Sequence, residues 1–245
     1  SMSEMQKTDP KEFWNNKILS WEKDRYDAPK RAASVLERLA SQASDSLRFR
    51  IWMAGEILSA QISRKRVLEL GCGSGLLAAR LVAAGAERYT GIDIAETAIA
   101  NARRLAEELE ISDRVQFKVG SVTSIPPTKC DIVFSLGLLD WLTDEELERM
   151  FAATAGADYL HAIAEKRSSP SQWIHRMYVQ LAYGNRTGSY RPRYFTTDQI
   201  ESIAQRYTHK PVQVYRDTRL SFGALITTFD FDPQIAAHET PHPLR

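Results

Sequence analysis

The spacing of hydrophobic and polar positions changes along the chain and divides it into three parts. Residues 1–60 show helical spacing, while residues 61–230 alternate short apolar runs with helical stripes. That alternation is typical of a parallel sheet wound with helices on both faces. We therefore predict a helical extension, then one α/β domain, then a loosely structured tail over residues 231–245.

Three helices are predicted in the extension, because apolar residues recur there every three or four positions. Trp14, Ile18 and Trp21 share one helical face. A second helix is indicated by Val35, Leu36 and Leu39, and a third by Leu47, Ile51, Ile57 and Leu58. The first of these helices either packs on the main domain or covers its ligand pocket, with Trp14 and Trp21 facing inward, and the two roles are compatible.

Seven apolar runs in the main domain have the length of strands. They are Val67–Leu70, Tyr89–Asp93, Val115–Val119, Asp131–Ser135, Tyr159–Ala164, Val212–Tyr215 and Ala224–Phe229. The last two runs are close enough to form a closing hairpin. We expect a doubly wound, mainly parallel, seven-stranded α/β sheet.

Helix boundaries are marked by residues that cap free backbone groups. Thr143 and Thr196 each precede a Glu or Gln by three positions, which predicts a capping box at both sites. Residues 75–84 predict the helix after the first strand, and Gly85 is a usual residue at a helix C-terminus.

Composition and charge narrow the class of protein. Of 245 residues, 43% are hydrophobic and 26% are charged, which is enough for a real core. A formal net charge of +1 argues against general attraction to nucleic acid or membrane. The two cysteines give neither a disulfide framework nor metal-ligand spacing, so no metal is expected. No 18-residue apolar run and no signal-peptide pattern are found, so a cytoplasmic location is expected.

The stretch Val67–Leu77 carries the main functional signal. An apolar strand is followed by glycines at positions 71, 73 and 75, and a helical pattern begins at once. Glycine is needed where the chain turns sharply or where a ligand contacts backbone. The N-terminus of the following helix favours a carboxylate or a phosphate. Dinucleotide folds use such a turn, but their third glycine comes three places after the second, where this chain has Leu76.

The spelling Glu69-x-Gly71-x-Gly73-x-Gly75 instead resembles the first motif of class I S-adenosylmethionine (SAM) methyltransferases. The resemblance covers residues 61–165 well and 194–229 in outline. It implies a sheet whose final strand is antiparallel, and SAM as the cofactor, with S-adenosylhomocysteine (SAH) as its product. It also implies that the methionine end of SAM lies against Gly71 and Gly73.

The remaining cofactor contacts are expected where other strands end, because open α/β sheets bind ligands beyond the carboxyl ends of their strands. Asp93 ends the second strand 20 residues after Gly73, and a carboxylate there can accept hydrogen bonds from both ribose hydroxyls. The resemblance places adenine near the end of the third strand, where family members often carry an acid and this chain has Ser121. The predicted cofactor site comprises Glu69, Gly71, Cys72, Gly73, Gly75, Asp93, Ile94, Ser121, Val122, Ser135 and Leu136.

A hydroxyl acceptor benefits from a general base, whereas a carboxylate or an unprotonated amine acceptor needs none. The candidates are Asp140 after the fourth strand, Glu165 after the fifth and His175 beyond it. His161 lies in mid-strand and is expected to be buried structure. No one of these residues stands out as the base.

Residues 166–193 interrupt the alternation of strands and helices and are the best guide to the acceptor. They hold six cations and no Asp or Glu, interleaved with aromatic residues. This cap insertion falls over the predicted methyl-transfer site, so we expect a small, acidic acceptor bound by Arg176, Tyr190, Arg191 and Arg193. The alternative is a solvated basic loop.

The expected function is therefore SAM-dependent methylation of a small acidic acceptor, most naturally at oxygen. An RNA or protein methyltransferase and a non-catalytic SAM-binding module are the alternatives. Enzymes that methylate the adenine amino group usually carry an Asp/Asn-Pro-Pro-Tyr motif after the fourth strand, where this chain reads Ser-Leu-Gly-Leu over 135–138. Neither cysteine follows a proline, which argues against cytosine-C5 chemistry. A nucleic-acid partner is not expected.

Overall fold

The computed structural model describes residues 35–165, 194–220 and 223–231. The helices are α1 (Val35–Ser59), α2 (Ala78–Ala83), α3 (Glu96–Glu108), α4 (Asp144–Ala153) and α5 (Thr197–Ala204). The strands are β1 (Arg66–Leu70), β2 (Arg88–Asp93), β3 (Val115–Val119), β4 (Ile132–Leu136), β5 (Asp158–Ala164), β6 (Gln213–Arg216) and β7 (Gly223–Thr227). Two short 3₁₀ turns occupy Leu139–Trp141 and Thr218–Leu220.

The seven strands form one sheet in the order β3-β2-β1-β4-β5-β7-β6. Strands β1 to β5 pair in parallel, and β7 runs antiparallel to both β5 and β6. Strand β6 therefore points the same way as the first five. The mainly parallel sheet, with one antiparallel strand contributed by the closing hairpin, is confirmed.

Helices cover both faces of the sheet, because its central strands are apolar on both sides. Helices α1, α2 and α3 share one core, in which Met53, Ile57 and Leu81 are fully buried. Helices α4 and α5 share the other, with Leu147 and Ile200 fully buried. Because helices cover both faces, a ligand reaches the central strands at their ends, and an edge of the sheet below means one of these two rows of strand ends.

Helix α1 differs from the prediction. Two separate helices were predicted within residues 35–58, and the structure has one helix of 25 residues. The polar stretch 41–46 interrupts the apolar stripe but contains neither glycine nor proline, so nothing there ends the backbone helix. The predicted break was wrong because an interruption in hydrophobic spacing is not a helix stop.

Helix α2 begins three residues later than predicted. Gly73 and Gly75 have φ of +56° and +70°, which no residue of a right-handed helix adopts. Residues 73–77 consequently form turns, and the helix starts at Ala78. The predicted boundary at Gly85, with φ of +100°, fits the end of this helix.

Both capping boxes are confirmed. Thr143 Oγ1 accepts a hydrogen bond from the Glu146 backbone N–H at 3.2 Å, and Glu146 Oε1 accepts one from Thr143 N–H at 3.2 Å. Thr196 and Gln199 repeat the arrangement at 3.2 and 2.9 Å. These caps fix where α4 and α5 start, just beyond segments that follow the ends of β4 and β5.

Across the described residues, no helix is both long enough and apolar enough to cross a membrane.

Candidate functional site

The segments named by the sequence motifs meet at one edge of the sheet. Strands β2, β1, β4 and β5 are adjacent in that order and run in parallel, so their carboxyl ends share that edge. The glycine turn follows β1, and Asp93 ends β2. This edge is where a doubly wound sheet binds its ligand.

The glycine turn is a stretch of backbone packed closely on both sides. Gly71, Gly73 and Gly75 all have positive φ, of 67°, 56° and 70°. A methyl group at Gly71 would lie 3.2 Å from Leu138 Cδ1, and one at Gly75 would lie 2.6 Å from Phe117 Cε1. Both the dihedral angles and the space therefore require glycine, and the turn presents bare backbone at the edge of the sheet.

Asp93 holds this turn closed. Its Oδ2 accepts a hydrogen bond from Gly73 N–H at 2.8 Å, and its Oδ1 accepts one from Ala95 N–H at 2.9 Å. The side chain is 5% exposed. Burial raises the pKa of the carboxyl, and the backbone donors act in the opposite direction. Each oxygen keeps a further acceptor site, so the carboxylate can still receive a hydroxyl hydrogen bond. Ile94, which follows it, is half-buried.

Glu69 lies one residue before the end of β1 and is buried. The Tyr89 hydroxyl on β2 donates a hydrogen bond to Glu69 Oε2 at 2.9 Å. Burial first, and the Glu69 charge second, raise the pKa of Tyr89 well above its usual value. The pair joins the two strands directly beneath the glycine turn.

Cys72 belongs to the turn but directs its side chain into the core. A methyl group at Gly91 on β2 would lie 2.8 Å from Cys72 Sγ, so the thiol fills the space that Gly91 leaves. The thiol is also within 3.5 Å of the Gly73 carbonyl. Its backbone, rather than its sulfur, is the part of Cys72 that lies in the turn.

The turn after β3 lies beside Asp93, because Gly120 N–H donates to the Asp93 carbonyl at 2.9 Å. Ser121 Oγ accepts from Thr123 N–H at 3.2 Å and lies 2.8 Å from Thr123 Oγ1. Val122 is buried in the core beneath α4. Ser121 and Val122 thus stand at the place that the resemblance assigns to adenine.

Ser135 has a different environment from the other predicted cofactor residues. It is fully buried, and its Oγ lies 2.7 Å from His161 Nδ1 on β5. The His161 ring stacks on Tyr159 at 5.3 Å and meets Phe151 edge-on. Burial lowers the pKa of His161 to about 3, so the imidazole is neutral. The Ser135 hydroxyl is thus committed to the core, while the half-buried Leu136 stands at the edge.

Asp140 is a buried carboxyl between the ends of β4 and β5. Its Oδ1 accepts a hydrogen bond from Ala164 N–H at 2.9 Å, and the side chain is 8% exposed. Burial raises the pKa of Asp140 to about 7, opposed by the Ala164 donor and by the charge of Arg50. A carboxyl with that pKa can exchange a proton near neutral pH, as a general base must.

Glu165 is the other described candidate base, and it is already engaged. The Arg216 guanidinium on β6 donates from Nε to Oε2 at 2.8 Å and from Nη2 to Oε1 at 2.6 Å. Glu165 also forms an isolated parallel bridge with Phe195. Because both of its oxygens accept from arginine, the geometry favours Asp140 over Glu165 as a proton acceptor.

The other predicted site residues lie outside the described residues. They are the candidate base His175, the substrate residues Arg176, Tyr190, Arg191 and Arg193, and the lid residues Trp14 and Trp21. Their assignments stay predictions.

Sequence reasoning missed Arg50. This residue of α1 donates from Nη2 to the Leu136 carbonyl at 3.1 Å, across 86 positions of sequence. A methyl group at Gly137 would lie 3.0 Å from its Nη1. The signal in the sequence was a charge between Phe49 and Ile51, both of which are buried.

The edge fits a nucleoside cofactor with an amino-acid end better than it fits a metal. Bare glycine backbone, a buried carboxylate and a guanidinium provide both donors and acceptors for such a molecule. By contrast, no group of three or more His, Cys, Asp or Glu residues within the described ranges could hold a metal ion.

Comparison with known proteins agrees with this geometry. Residues 67–157 match a family model described as a methyltransferase domain. The chain is 42% identical over 57 residues to a ribosomal protein L11 methyltransferase of Shewanella baltica, covering 23% of this chain and 20% of the relative. It is 28% identical over 151 residues to a ubiquinone biosynthesis O-methyltransferase of Hydrogenovibrio crunogenus, covering 60% of this chain and 55% of the relative. The chain thus spans less than two thirds of the length of either relative.

A solved structure gives a longer match. The magnesium protoporphyrin IX methyltransferase of Synechocystis PCC 6803 with bound SAH superposes with a TM-score of 0.66 and 18% identity. The match covers 89% of this chain and 96% of that one. Together with the sheet order, it shows that the chain has the fold of class I SAM-dependent methyltransferases, within which residues 67–157 match the methyltransferase domain model.

Proposed function

We propose that the protein transfers a methyl group from SAM to a small, acidic acceptor, at an oxygen atom. The observation that carries this proposal is the turn of three left-handed glycines at the sheet edge, joined to Asp93 by a 2.8 Å hydrogen bond. It provides bare backbone and an adjacent buried carboxylate, which suit the methionine end and the ribose of SAM.

The residues divide the cofactor between them. Gly71 and Gly73 take the methionine end, Asp93 takes the ribose hydroxyls, and the Ser121–Val122 turn takes the adenine. When bound, SAM supplies a methyl group that its sulfonium already activates. The protein's contribution is then to align the acceptor, which in well-oriented intramolecular reactions is equivalent to effective concentrations of roughly 10⁵ M or more.

Asp140 is our candidate for the proton acceptor. Its pKa of about 7 suits the removal of a hydroxyl proton near neutral pH. General base catalysis of this kind raises a reaction rate by a factor on the order of 10²–10⁴. A carboxylate acceptor needs no base, and then Asp140 only fixes Ala164 at the end of β5. The two cases differ in the pH dependence of turnover.

An acidic acceptor is inferred from the six cations and no anions of residues 166–193. A small acceptor agrees with the full-length likeness to a protein named for magnesium protoporphyrin IX. A protein acceptor is the second candidate, since relatives named for ribosomal protein L11 match with the higher identity. That alignment spans 57 residues, so it bears on the cofactor-binding part alone.

Two measurements test the proposal. Calorimetry with SAH measures whether the cofactor binds. Methyl-labelled SAM is then incubated with separate panels of acidic metabolites, proteins and RNA, and the panel that takes up the label identifies the acceptor. We expect label in an acidic metabolite, and its loss when Arg191 and Arg193 are replaced by alanine with SAH affinity retained. SAH binding without transfer to any panel would indicate a binding module, and label in protein or RNA would overturn the small-acceptor assignment.

A further inference from the structure

The turn after β4 brings the carboxyl of Asp140 to the end of β5. Gly137 opens this turn with φ of +85°, and a glycine restricts the backbone less than any other residue does. The place of Asp140 therefore depends on bonds that tie the turn to its neighbours. Two of these bonds lead to β5: Gly137 N–H donates to the Ala162 carbonyl at 3.1 Å, and Asp140 Oδ1 accepts from Ala164 N–H at 2.9 Å.

A bond between two side chains ties the end of β4 to β5 just before the turn. Ser135 and His161 are opposite each other in the register of the two strands, and Ser135 Oγ lies 2.7 Å from His161 Nδ1. Both residues are fully buried. A single residue separates Ser135 from Gly137. The Ser135–His161 bond therefore fixes the beginning of the turn, as the carboxyl bond fixes its far side.

Packing alone does not account for this polar pair. Among the described residues, His161 Nε2 has no hydrogen-bond partner, and neither has the hydroxyl of Tyr159, on whose ring the imidazole stacks. The other neighbouring ring is Phe151, which meets the imidazole edge-on at 5.5 Å. An unpaired polar atom in such surroundings costs free energy, and two apolar side chains of similar shape would avoid that cost. The pair therefore calls for a role other than stabilising the core.

The surroundings of Asp140 depend on how closely the turn is held to β5. The side chain is 8% exposed, and burial raises the pKa of its carboxyl to about 7. The Ala164 donor and the charge of Arg50 on α1 oppose that rise. Glu165, beside Ala164, is paired with Arg216. If the turn moved away from β5, water would reach the carboxyl, and its pKa would fall towards the ordinary value for aspartate.

We propose that Ser135 and His161 are positioning residues, which hold the turn after β4 against β5 and thereby direct the Asp140 carboxyl towards the acceptor. The inference rests on the proposed function, because it gives Asp140 the role of proton acceptor. Both residues act through the turn, since their buried side chains contact each other.

The test follows the titration of Asp140 by NMR of the full chain, with isotope-labelled aspartate carboxyl carbons and with D140N to assign the resonance. The wild-type carboxyl should titrate near pH 7. In S135A and H161L the turn should loosen, and the titration midpoint should fall by about one pH unit or more, towards the value of roughly 4 for an exposed aspartate. H161N can place its amide where Nδ1 lies and should stay near the wild type. H161Q reaches the place of Nε2 instead and should behave like H161L.

Urea unfolding separates positioning from support of the fold. The double variant S135A/H161L removes both polar groups together with the unpaired nitrogen, so it should be at least as stable as the wild type. Its Asp140 titration should nevertheless be displaced. An unchanged titration in S135A and H161L, or a displacement confined to variants that have lost stability, would overturn the proposal.

Failure of the proposed function looks different. If Asp140 is not the proton acceptor, D140N should still transfer label from methyl-labelled SAM to the acceptor that the panels identify. The displaced titrations in S135A and H161L would then remain, because they report the place of the carboxyl and not its use in the reaction.

Discussion

At the scale of single residues, glycine is required for two separate reasons, a positive φ and a lack of space for a Cβ, and Gly75 has both. A Cβ there would meet the Phe117 ring at 2.6 Å, and the residue has φ of +70°. Gly156 also has positive φ, of +85°, but no atom lies within 4 Å of the place that a Cβ would occupy. Alanine should cost about 1–2 kcal/mol at Gly156 from backbone strain alone. At Gly75 the forced displacement of a buried ring should add roughly 1–3 kcal/mol.

Urea unfolding of G75A and G156A measures that difference directly. Equal losses of unfolding free energy would mean that Phe117 moves aside without cost, and the packing of the turn would then not be what requires glycine.

Asp93 is expected to have two roles, one in holding the glycine turn and one in binding the cofactor. Replacing it by alanine removes the acceptor for Gly73 N–H and the carboxylate proposed for the ribose. We expect a loss of about 1.5–3 kcal/mol in SAH affinity, the scale of a hydrogen bond to a charged group. Calorimetry gives the value, and D93N, which keeps an oxygen at the same place, should lose less. Unchanged affinity in D93A would rule out the ribose role.

The raised pKa of Asp140 predicts how the free energy of unfolding changes with pH. Its pKa is about 7 in the folded protein and roughly 4 in an unfolded chain, so between those values the folded state binds the extra proton. The contribution of Asp140 is fully present below about pH 4 and is lost as the pH rises towards 7. D140N cannot ionise and keeps an oxygen for Ala164 N–H, so it should escape this loss.

The stability of D140N relative to wild type should therefore grow between about pH 5 and pH 7, by up to about 1.4 kcal/mol per pH unit. Urea unfolding at several pH values provides the comparison. Parallel curves for the two proteins would show that Asp140 titrates near its ordinary pKa.

At the scale of elements, the two capping boxes start helices that pack on the same face of the sheet. Removing the hydroxyl in T143A or T196A leaves one backbone donor of α4 or α5 without its partner. Each change should cost about 1 kcal/mol of unfolding free energy, within a range of roughly 0.5–2. T143S and T196S retain the oxygen and serve as matched controls. An alanine variant as stable as its serine counterpart would contradict the assignment.

The same elements show how far sequence reasoning reaches. Strands were found because buried parallel strands are apolar throughout, and caps were found because Thr-x-x-Glu acts between residues three apart. The prediction failed for α1, where spacing lost its period although the backbone had no reason to stop. Local patterns thus specify elements well and their continuity less well.

Site residues divide in the same way. The glycine turn was identifiable because its glycines recur at alternate positions, and Asp93 because it ends the strand that follows the turn. The Ser135–His161 pair, the Glu165–Arg216 pair and the Arg50 contact join positions 26, 51 and 86 apart. Such partners are set by strand order and helix docking, which a single sequence does not display. A candidate base such as Glu165 could therefore not be distinguished from an ion-paired carboxylate in advance.

At the scale of the whole molecule, the matched segment 67–157 is smaller than the unit that folds. Helix α1 buries Phe49, Ile51, Met53, Ile57 and Leu58 to 4% exposure or less in the core that lies over β1 and β4. Full burial of such side chains is worth about 1.5–3 kcal/mol each, so these side chains together contribute roughly 8 kcal/mol or more. The total stability of a domain is only about 5–15 kcal/mol.

A chain that begins at residue 61 should therefore fail to fold, whereas one that begins at residue 35 keeps every α1 contact described above. We expect cooperative urea unfolding and native-like circular dichroism for 35–245, and neither for 61–245. The larger fragment controls for the loss of residues 1–34, so the comparison isolates α1. If 61–245 unfolded cooperatively with the midpoint of 35–245, α1 would be an appendage to the sheet rather than one of its covering layers. Arg50 would then lack the fixed support that its contact with Leu136 requires.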